Sequence, residues 1–161
     1  MKKKSKLDHA VVRKSVQVNA PQTHAFKVFT EHVGSWWPLS THHIGTDPAQ
    51  TAIIERREGG RWFERSGDGV ECDWGRVLIW NPPNRIVLTW DINADWKYDP
   101  KLGTEVDIRF ISEGPETTRV ELEHRHLERF GAMADAMKDT FESEGGWGGI
   151  LRGYVQAAEK S

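Results

Sequence analysis

Residues 104–127 read TEVDIRFISEGPETTRVELEHRHL, two alternating stretches separated by a short turn. The residues that alternate with charged neighbours are Val106, Ile108, Phe110, Val120, Leu122 and His124. A period of two is typical of strands with one dry and one wet face. The turn at Glu113–Glu116 predicts that these strands, Thr104–Ser112 and Thr117–Leu127, pair antiparallel. Their dry face needs an apolar partner elsewhere in the chain.

Strand patterns bounded by turn residues also precede this hairpin. The predicted strands are Val11–Val18, Thr51–Arg57, Arg61–Arg65, Glu71–Trp80 and Arg85–Ile92. After the first strand, Pro21 begins a short amphipathic helix that is predicted to reach Thr30. The stretch Leu39–Gln50 has no period and is predicted to be a loop.

The period changes to that of a helix after the hairpin. One helix is predicted between Phe130 and Phe141, and a second between Gly146 and Glu159 with Ser143 as its cap. The second helix has an apolar stripe that includes Trp147, Ile150, Leu151, Tyr154, Val155 and Ala158. We therefore predict an α+β fold in which a curved antiparallel seven-stranded sheet wraps around a long C-terminal helix, with a short helix after strand 1.

Composition limits the possible functions. The chain has 161 residues, a net charge of −2 and one cysteine, Cys72. We expect one domain over residues 11–160 after a basic tail at 1–10, with no nucleic-acid binding and no membrane insertion. A lone cysteine and no signal sequence favour the cytoplasm. The sequence leaves open whether the protein is a monomer or a homodimer.

The motifs occur in an order that resembles a known family. They are Val18–Pro21 with Phe26, Trp36–Pro38, Glu58–Trp62, Trp74–Val77, Pro82–Trp90, Val120–His124 and Gly146–Trp147. Together they resemble the helix-grip, START-like (SRPBCC) superfamily and, more narrowly, the domain named after the activator of the ninety-kilodalton heat-shock chaperone's ATPase. The resemblance covers about residues 11–159.

The resemblance implies a fold with an internal cavity. Superfamily members bind lipids, sterols, polyketides or plant hormones, and some are cyclases. We expect non-catalytic binding of a small apolar or amphipathic molecule, with no cofactor. Two alternatives are a chaperone-binding module, with a role in the stress response, and a cyclase-like or hydrolase-like enzyme.

Tryptophan supplies most of the candidate site. Eight residues are Trp, and each indole can fill a core or line a cavity. The ligand-binding residues that we predict are Trp36, Trp37, Phe63, Trp74, Trp90, Phe110, Leu122, His124, Trp147 and Leu151. Each of them could instead be ordinary core packing.

His124 is the one candidate for chemistry. His124 and His126 would share one face of a strand, a spacing found in some metal sites, with His42 and His43 as further donors. We favour a hydrogen-bonded core residue or a polar ligand contact over a metal site or an acid–base catalyst. Cys72 lies between two carboxylates, which would raise its thiol pKa rather than activate it.

Small residues recur in the last helix at Gly145, Gly149, Gly153 and Ala157. Glycine inside a helix costs about 0.5–1 kcal/mol relative to alanine. The stripe predicts close approach of the helix that ends at Phe141 or of a second subunit, unless the spacing is a coincidence.

Overall fold

The computed structural model describes residues 10–160, so the predicted basic tail lies outside the described residues except for Ala10. Its strands are β1 (Val12–Val18), β2 (Ala49–Ile54), β3 (Arg61–Ser66), β4 (Glu71–Asn81), β5 (Arg85–Trp90), β6 (Thr104–Gly114) and β7 (Thr117–Arg125). Its helices are α1 (Gln22–Glu31), α2 (Val33–Trp36), α3 (Ala134–Glu142) and α4 (Gly149–Lys160). A 3₁₀ segment, Leu127–Met133, precedes α3, and a π-helical turn, Glu144–Gly148, precedes α4.

The strands form one curled antiparallel sheet in the order β1-β7-β6-β5-β4-β3-β2. The decisive hairpin pairs as its alternation predicts, with Ile108 opposite Leu122 and Val106 opposite His124. The concave face holds the core, and it is closed by α1, α2 and α4, whose Leu151 is buried. The predicted α+β helix-grip fold is therefore confirmed.

Two predicted elements are shorter than their patterns indicated. β7 stops at Arg125, because His126 has a left-handed backbone with φ 65°. The helix predicted from Phe130 is interrupted at Gly131, whose φ is 62° and whose ψ is −128°, so α3 begins only at Ala134. No described helix is both long and apolar enough to cross a membrane.

The entry into α4 also differs from the prediction. Ser143 makes no capping bond to a backbone N–H, and its hydroxyl donates instead to the carbonyl of Thr140 at 2.7 Å. The small-residue stripe does not face α3 along its length. A Cβ on Gly153 would lie 3.1 Å from the carbonyl oxygen of Trp36, so the close neighbour there is the end of α2.

Candidate functional site

One end of the space between sheet and helices is packed solid. We call it the packed end: Phe26, Phe29, Trp36, Phe110 and Tyr154. The centroids of neighbouring rings lie 5.0–5.7 Å apart. The two polar groups of these side chains, a hydroxyl and an indole N–H, both donate to backbone carbonyls of α1. The Tyr154 hydroxyl donates to the Ala25 carbonyl at 2.7 Å, and the Trp36 indole donates to the Val28 carbonyl at 2.9 Å. This end leaves no polar group for a ligand.

The other end contains a cavity of about 420 Å³ with an opening to solvent. Its lining is Trp37, Thr41, His42, His43, Ile44, Trp74, Trp90, Ile92, Trp96, Thr140, Phe141, Gly145, Gly146, Trp147 and Ile150. We call the five buried aromatic residues among them, Trp37, Trp74, Trp90, Phe141 and Trp147, the cavity end. Sites for small molecules commonly measure about 300–1,000 Å³ and are mostly apolar. The size and chemistry of this space fit such a site.

The aromatic wall is held by contacts between its own rings. Trp37 lies 5.1 Å from Trp74 and 5.9 Å from Trp147, measured between ring centroids. Trp90 lies 5.7 Å from Trp147 and 5.4 Å from Phe141, both edge to face. Edge-to-face pairs are each worth about 0.5–1.5 kcal/mol beyond the area they bury. The wall is therefore built before any ligand arrives.

His124 lies directly behind this wall and is fully buried. The Trp147 indole donates to His124 Nδ1 at 3.2 Å, so Nδ1 carries no proton and Nε2 does. Nε2 then donates to the Thr104 hydroxyl at 3.0 Å, and that hydroxyl donates to the Trp90 carbonyl at 2.7 Å. Burial lowers the pKa of His124 to about 3, which keeps the ring neutral. His124 thus fixes Trp147 rather than offering a free nitrogen.

The loop over the cavity is tied to the sheet by a buried carboxylate. Glu64 of β3 accepts the Trp74 indole N–H at 2.8 Å and the backbone N–H of Ile44 at 2.6 Å. The N–H of Gly45 adds a third bond at 3.2 Å. A buried carboxylate is tolerated when such donors replace its water. Glu64 therefore joins the loop and the aromatic wall.

The mouth is framed by this loop and by the turn before α4. His42 Nε2 donates to the Gly145 carbonyl at 2.6 Å, while the His42 carbonyl accepts the Trp37 indole N–H at 3.0 Å. Gly146 must be glycine, since a Cβ there would lie 2.4 Å from the carbonyl oxygens of Thr140 and Phe141. Backbone rather than side chains forms this edge, which leaves the mouth open.

Four of the ten predicted ligand-binding residues line the cavity: Trp37, Trp74, Trp90 and Trp147. The structure places the other six elsewhere. Trp36, Phe110, Leu122 and Leu151 lie in the packed core, His124 lies behind the wall, and Phe63 lies on the opposite face of the sheet.

Phe63 differs most from its predicted position. Its ring is covered by the Arg61 guanidinium, whose Cζ lies 3.9 Å from the ring centroid, on the convex face of β3. Its neighbour Trp62 faces inward, 5.3 Å from Trp74 and 5.7 Å from Trp90. Alternation along β3 was misleading because the charged residue Glu64 shares the inward face with Trp62. The donors that make its burial possible come from residues distant in the sequence.

The mouth of the cavity is formed by residues outside the ten predicted ligand-binding residues. His42, His43 and Ile44 come from a loop without a period, and Trp96 and Thr140 come from a turn and a helix end. No local pattern could bring these segments together. The sequence features that mark the mouth are the adjacent histidines His42 and His43 and the pair Gly145–Gly146, and hydrophobic patterning gives no information about either pair.

The spacing of His124 and His126, which is found in some metal sites but was not favoured as one here, does not bring metal ligands together. His126 lies beyond the end of β7, and its Nε2 is 3.8 Å from Glu105 Oε2. No group of three or more His, Cys, Asp or Glu side chains within residues 10–160 is placed to hold a metal ion. Burial, together with Glu64 and Asp73, raises the pKa of Cys72, which argues against a reactive thiolate.

Comparison with known proteins assigns the family. The sequence profile of the family described as Activator of Hsp90 ATPase homolog 1-like protein matches residues 19–159. No curated protein gave a match. A search of solved structures returned similar chains along almost the full length.

Two of those structures are also similar in sequence. The anthrahydroquino-gamma-pyrone synthase Txn09, solved in complex with SUM, is 35% identical, with a TM-score of 0.65, over 91% of this chain and 96% of its own. The self-sacrificing resistance protein CalC from Micromonospora echinospora is 31% identical, with a TM-score of 0.70, over 93% and 94%. Protein NE0264 from Nitrosomonas europaea, at 14% identity and a TM-score of 0.66 over 93% and 94%, shares the fold. The chain belongs to the Activator of Hsp90 ATPase homolog 1-like family, within the START-like helix-grip fold.

Proposed function

We propose that this protein binds a small, mostly apolar molecule with a planar aromatic part in the cavity between the sheet and α4. The observation that carries the proposal is the indole-lined space of about 420 Å³, which opens to solvent at a polar mouth. Aromatic walls favour flat rings, because offset-stacked and edge-to-face contacts reward that shape. The polar mouth suits a ligand with an oxygen-bearing end.

Trp90 adds a specific feature to the wall. Its indole Nε1 is buried and has no hydrogen-bond partner among residues 10–160. A buried donor without an acceptor costs about 1–3 kcal/mol, and a ligand carbonyl or hydroxyl oxygen within reach would recover part of that cost. We infer that the ligand carries such an acceptor next to its ring system, and that the N–H reaches it after a rotation of the indole, because the atom has almost no accessible surface without a ligand.

The similar synthase supports the same chemical class. Txn09 makes an anthrahydroquino-gamma-pyrone, as its name states, and it was solved with a bound compound. At 35% identity the two chains share a fold and family but differ at most positions. The likeness supports an aromatic polyketide-like ligand here as a proposal.

A matched pair of variants tests the binding site. Calorimetric titration with alizarin, a three-ring dihydroxyanthraquinone, should show saturable binding at one site per chain. Ile150→Trp adds bulk at the cavity lining, whereas Leu78→Trp adds the same bulk at an exposed position. We expect Ile150→Trp to abolish binding and Leu78→Trp to retain it. Absence of binding to the wild type, or equal binding by both variants, would refute the proposal.

Catalysis is a second candidate because of the likeness to a synthase. His124 is a poor acid–base group, since both ring nitrogens are bonded and its pKa is about 3. His43 is a better candidate, since it lies in the lining with Nδ1 3.0 Å from the Gly45 carbonyl oxygen. Mass spectrometry of poly-β-ketone probes after incubation decides between the two functions. A product that His43→Ala no longer forms would support catalysis, and recovery of the intact probe would support binding alone.

Chaperone binding, a cytoplasmic location and a stress role stay predictions. The family description supplies the only link to the chaperone. Retention on the immobilised chaperone, or a change in its ATPase rate, would support that role. If the protein is not retained and the ATPase rate does not change, chaperone binding is excluded.

A further inference from the structure

Trp96 is the most exposed indole among the described residues. Its exposed fraction is 46%, while the other seven tryptophans are buried or half-buried. It also has a left-handed backbone, with φ 59°. A bulky residue in that region is strained, and the same conformation is free of strain for glycine. Neither the solvation nor the backbone of this residue favours stability.

The turn that carries Trp96 is nevertheless well defined. The Asn93 side chain accepts the backbone N–H groups of Asp95 at 3.0 Å and Lys97 at 3.1 Å. The Trp96 N–H donates to the Asn93 carbonyl at 2.9 Å, and the Asn93 N–H donates to the Lys97 carbonyl at 2.8 Å. These four bonds hold the strained residue at the tip of the turn.

The base of the turn is fixed to the sheet. Asp91, directly after β5, accepts the Gly103 N–H through its carboxylate at 2.8 Å, and its backbone carbonyl accepts the Asp99 N–H at 2.7 Å. Ile92 and Tyr98 pair across the turn. The indole is therefore presented by a rigid support and not by a free loop.

Trp96 also occupies a boundary position. With Ile44 it lines the cavity, and the same two residues border a second, shallow groove that contains Arg61, Asp73 and Lys97. A side chain shared by an apolar cavity and a charged groove lies at the rim between them. That is where the outer part of a cavity ligand would emerge.

We propose that Trp96 is a ligand-contact residue that stacks on the planar part of the bound molecule at the mouth and makes the site selective for flat aromatic ligands. This inference rests on the proposed function and names the residue that would set its ligand class. The indole covers the ligand face that the buried wall leaves open. Backbone strain is tolerated because the turn presents a large π surface where solvent would otherwise contact the ligand.

Three variants of Trp96 test the inference by alizarin titration and thermal unfolding. Trp96→Gly should weaken alizarin binding about 3- to 10-fold, the range expected for one lost aromatic contact. Trp96→Phe should stay within about twofold of the wild type, and Trp96→Leu, which is apolar without a π face, should resemble Trp96→Gly. Val70→Ala, which truncates another exposed apolar residue, is the control and should bind normally.

Stability separates a ligand contact from a structural role. Because glycine relieves the left-handed strain, Trp96→Gly should keep its Tm or raise it by up to about 4 °C. Unchanged affinity in Trp96→Gly, or a Tm lowered by more than about 4 °C, would overturn the inference while wild-type binding upheld the proposed function. No alizarin binding by the wild type would overturn both.

Discussion

The packed end and the cavity end share one sheet and one C-terminal helical segment, and both are rich in aromatic rings, yet only one is hollow. At the packed end, α1 lies across the sheet, and its backbone carbonyls accept the Trp36 and Tyr154 donors. At the cavity end, the cover is a loop tied down by Glu64 and a π-helical turn with two lining glycines. Aromatic content therefore does not decide where a ligand fits. The kind of segment that covers the sheet does, since a helix covers the packed end and a loop with a glycine-containing turn covers the cavity end.

The largest expected effect compares one truncation at the two ends. Phe110→Ala should lower the free energy of unfolding by about 3–5 kcal/mol, because it opens a void beside the rings of Phe26 and Phe29 in the buried core. Phe141→Ala should cost less, since one side of that ring already borders the cavity. Urea unfolding of both variants measures the difference. Equal losses would mean that the cavity end is as tightly packed as the other.

Glu64→Ala should come next, with a loss of about 3 kcal/mol. The change leaves the Trp74 indole and two loop N–H groups without their charged acceptor. Hydrogen exchange at Ile44 and Gly45 should accelerate with it. Glu71→Ala, which removes a partly exposed partner of Arg61 and Arg65, is the control and should cost clearly less than Glu64→Ala. Slow exchange in Glu64→Ala would show that the loop is held by other contacts.

Acid should weaken the cavity end through His124. Its folded pKa of about 3 lies below the unfolded value of about 6.5, so the unfolded chain binds the proton first. Stability is then fully present above pH 6.5 and falls by up to about 1.4 kcal/mol per pH unit as pH drops towards 3. Urea titrations at pH 7, 6 and 5 measure the slope.

The variant His124→Phe isolates this contribution. Burial raises the pKa of Asp91, which contributes with the opposite sign at pH values above its ordinary pKa, and the variant leaves that group in place. His124→Phe should be less stable at pH 7 but should show a flatter pH dependence than the wild type. An identical slope in both proteins would show that other groups control it.

The smallest expected effect concerns Trp90, one of two buried indoles, with Trp62, whose N–H has no partner among residues 10–160. Trp90→Phe removes an N–H that bonds to nothing described, so about 1 kcal/mol or less should be lost. Trp74→Phe is the matched change with a bonded N–H and should cost more, because Glu64 loses a donor. The order should be the opposite for alizarin affinity, and Trp90→Phe should bind alizarin more weakly than Trp74→Phe. The opposite order would remove Trp90 as a ligand donor.

The sequence by itself determined the strands of the sheet and the C-terminal helix that packs against it. Alternation from Val106 to His124 and the helical period after Gly146 are local properties, and each follows from which side of the backbone a residue occupies. The same patterns, with the motif order, were sufficient to identify the family that the comparison then confirmed.

Only the tertiary structure decided which aromatic residues border empty space. Trp62 faces inward and Phe63, predicted to line the site, faces outward, because Glu64 on the inward row receives hydrogen bonds from a distant loop and from β4. His124 is inert because Trp147, from the far end of the chain, occupies Nδ1. A cavity is the volume that several remote segments fail to fill, so its position depends on their relative placement, and no local pattern in the sequence encodes that.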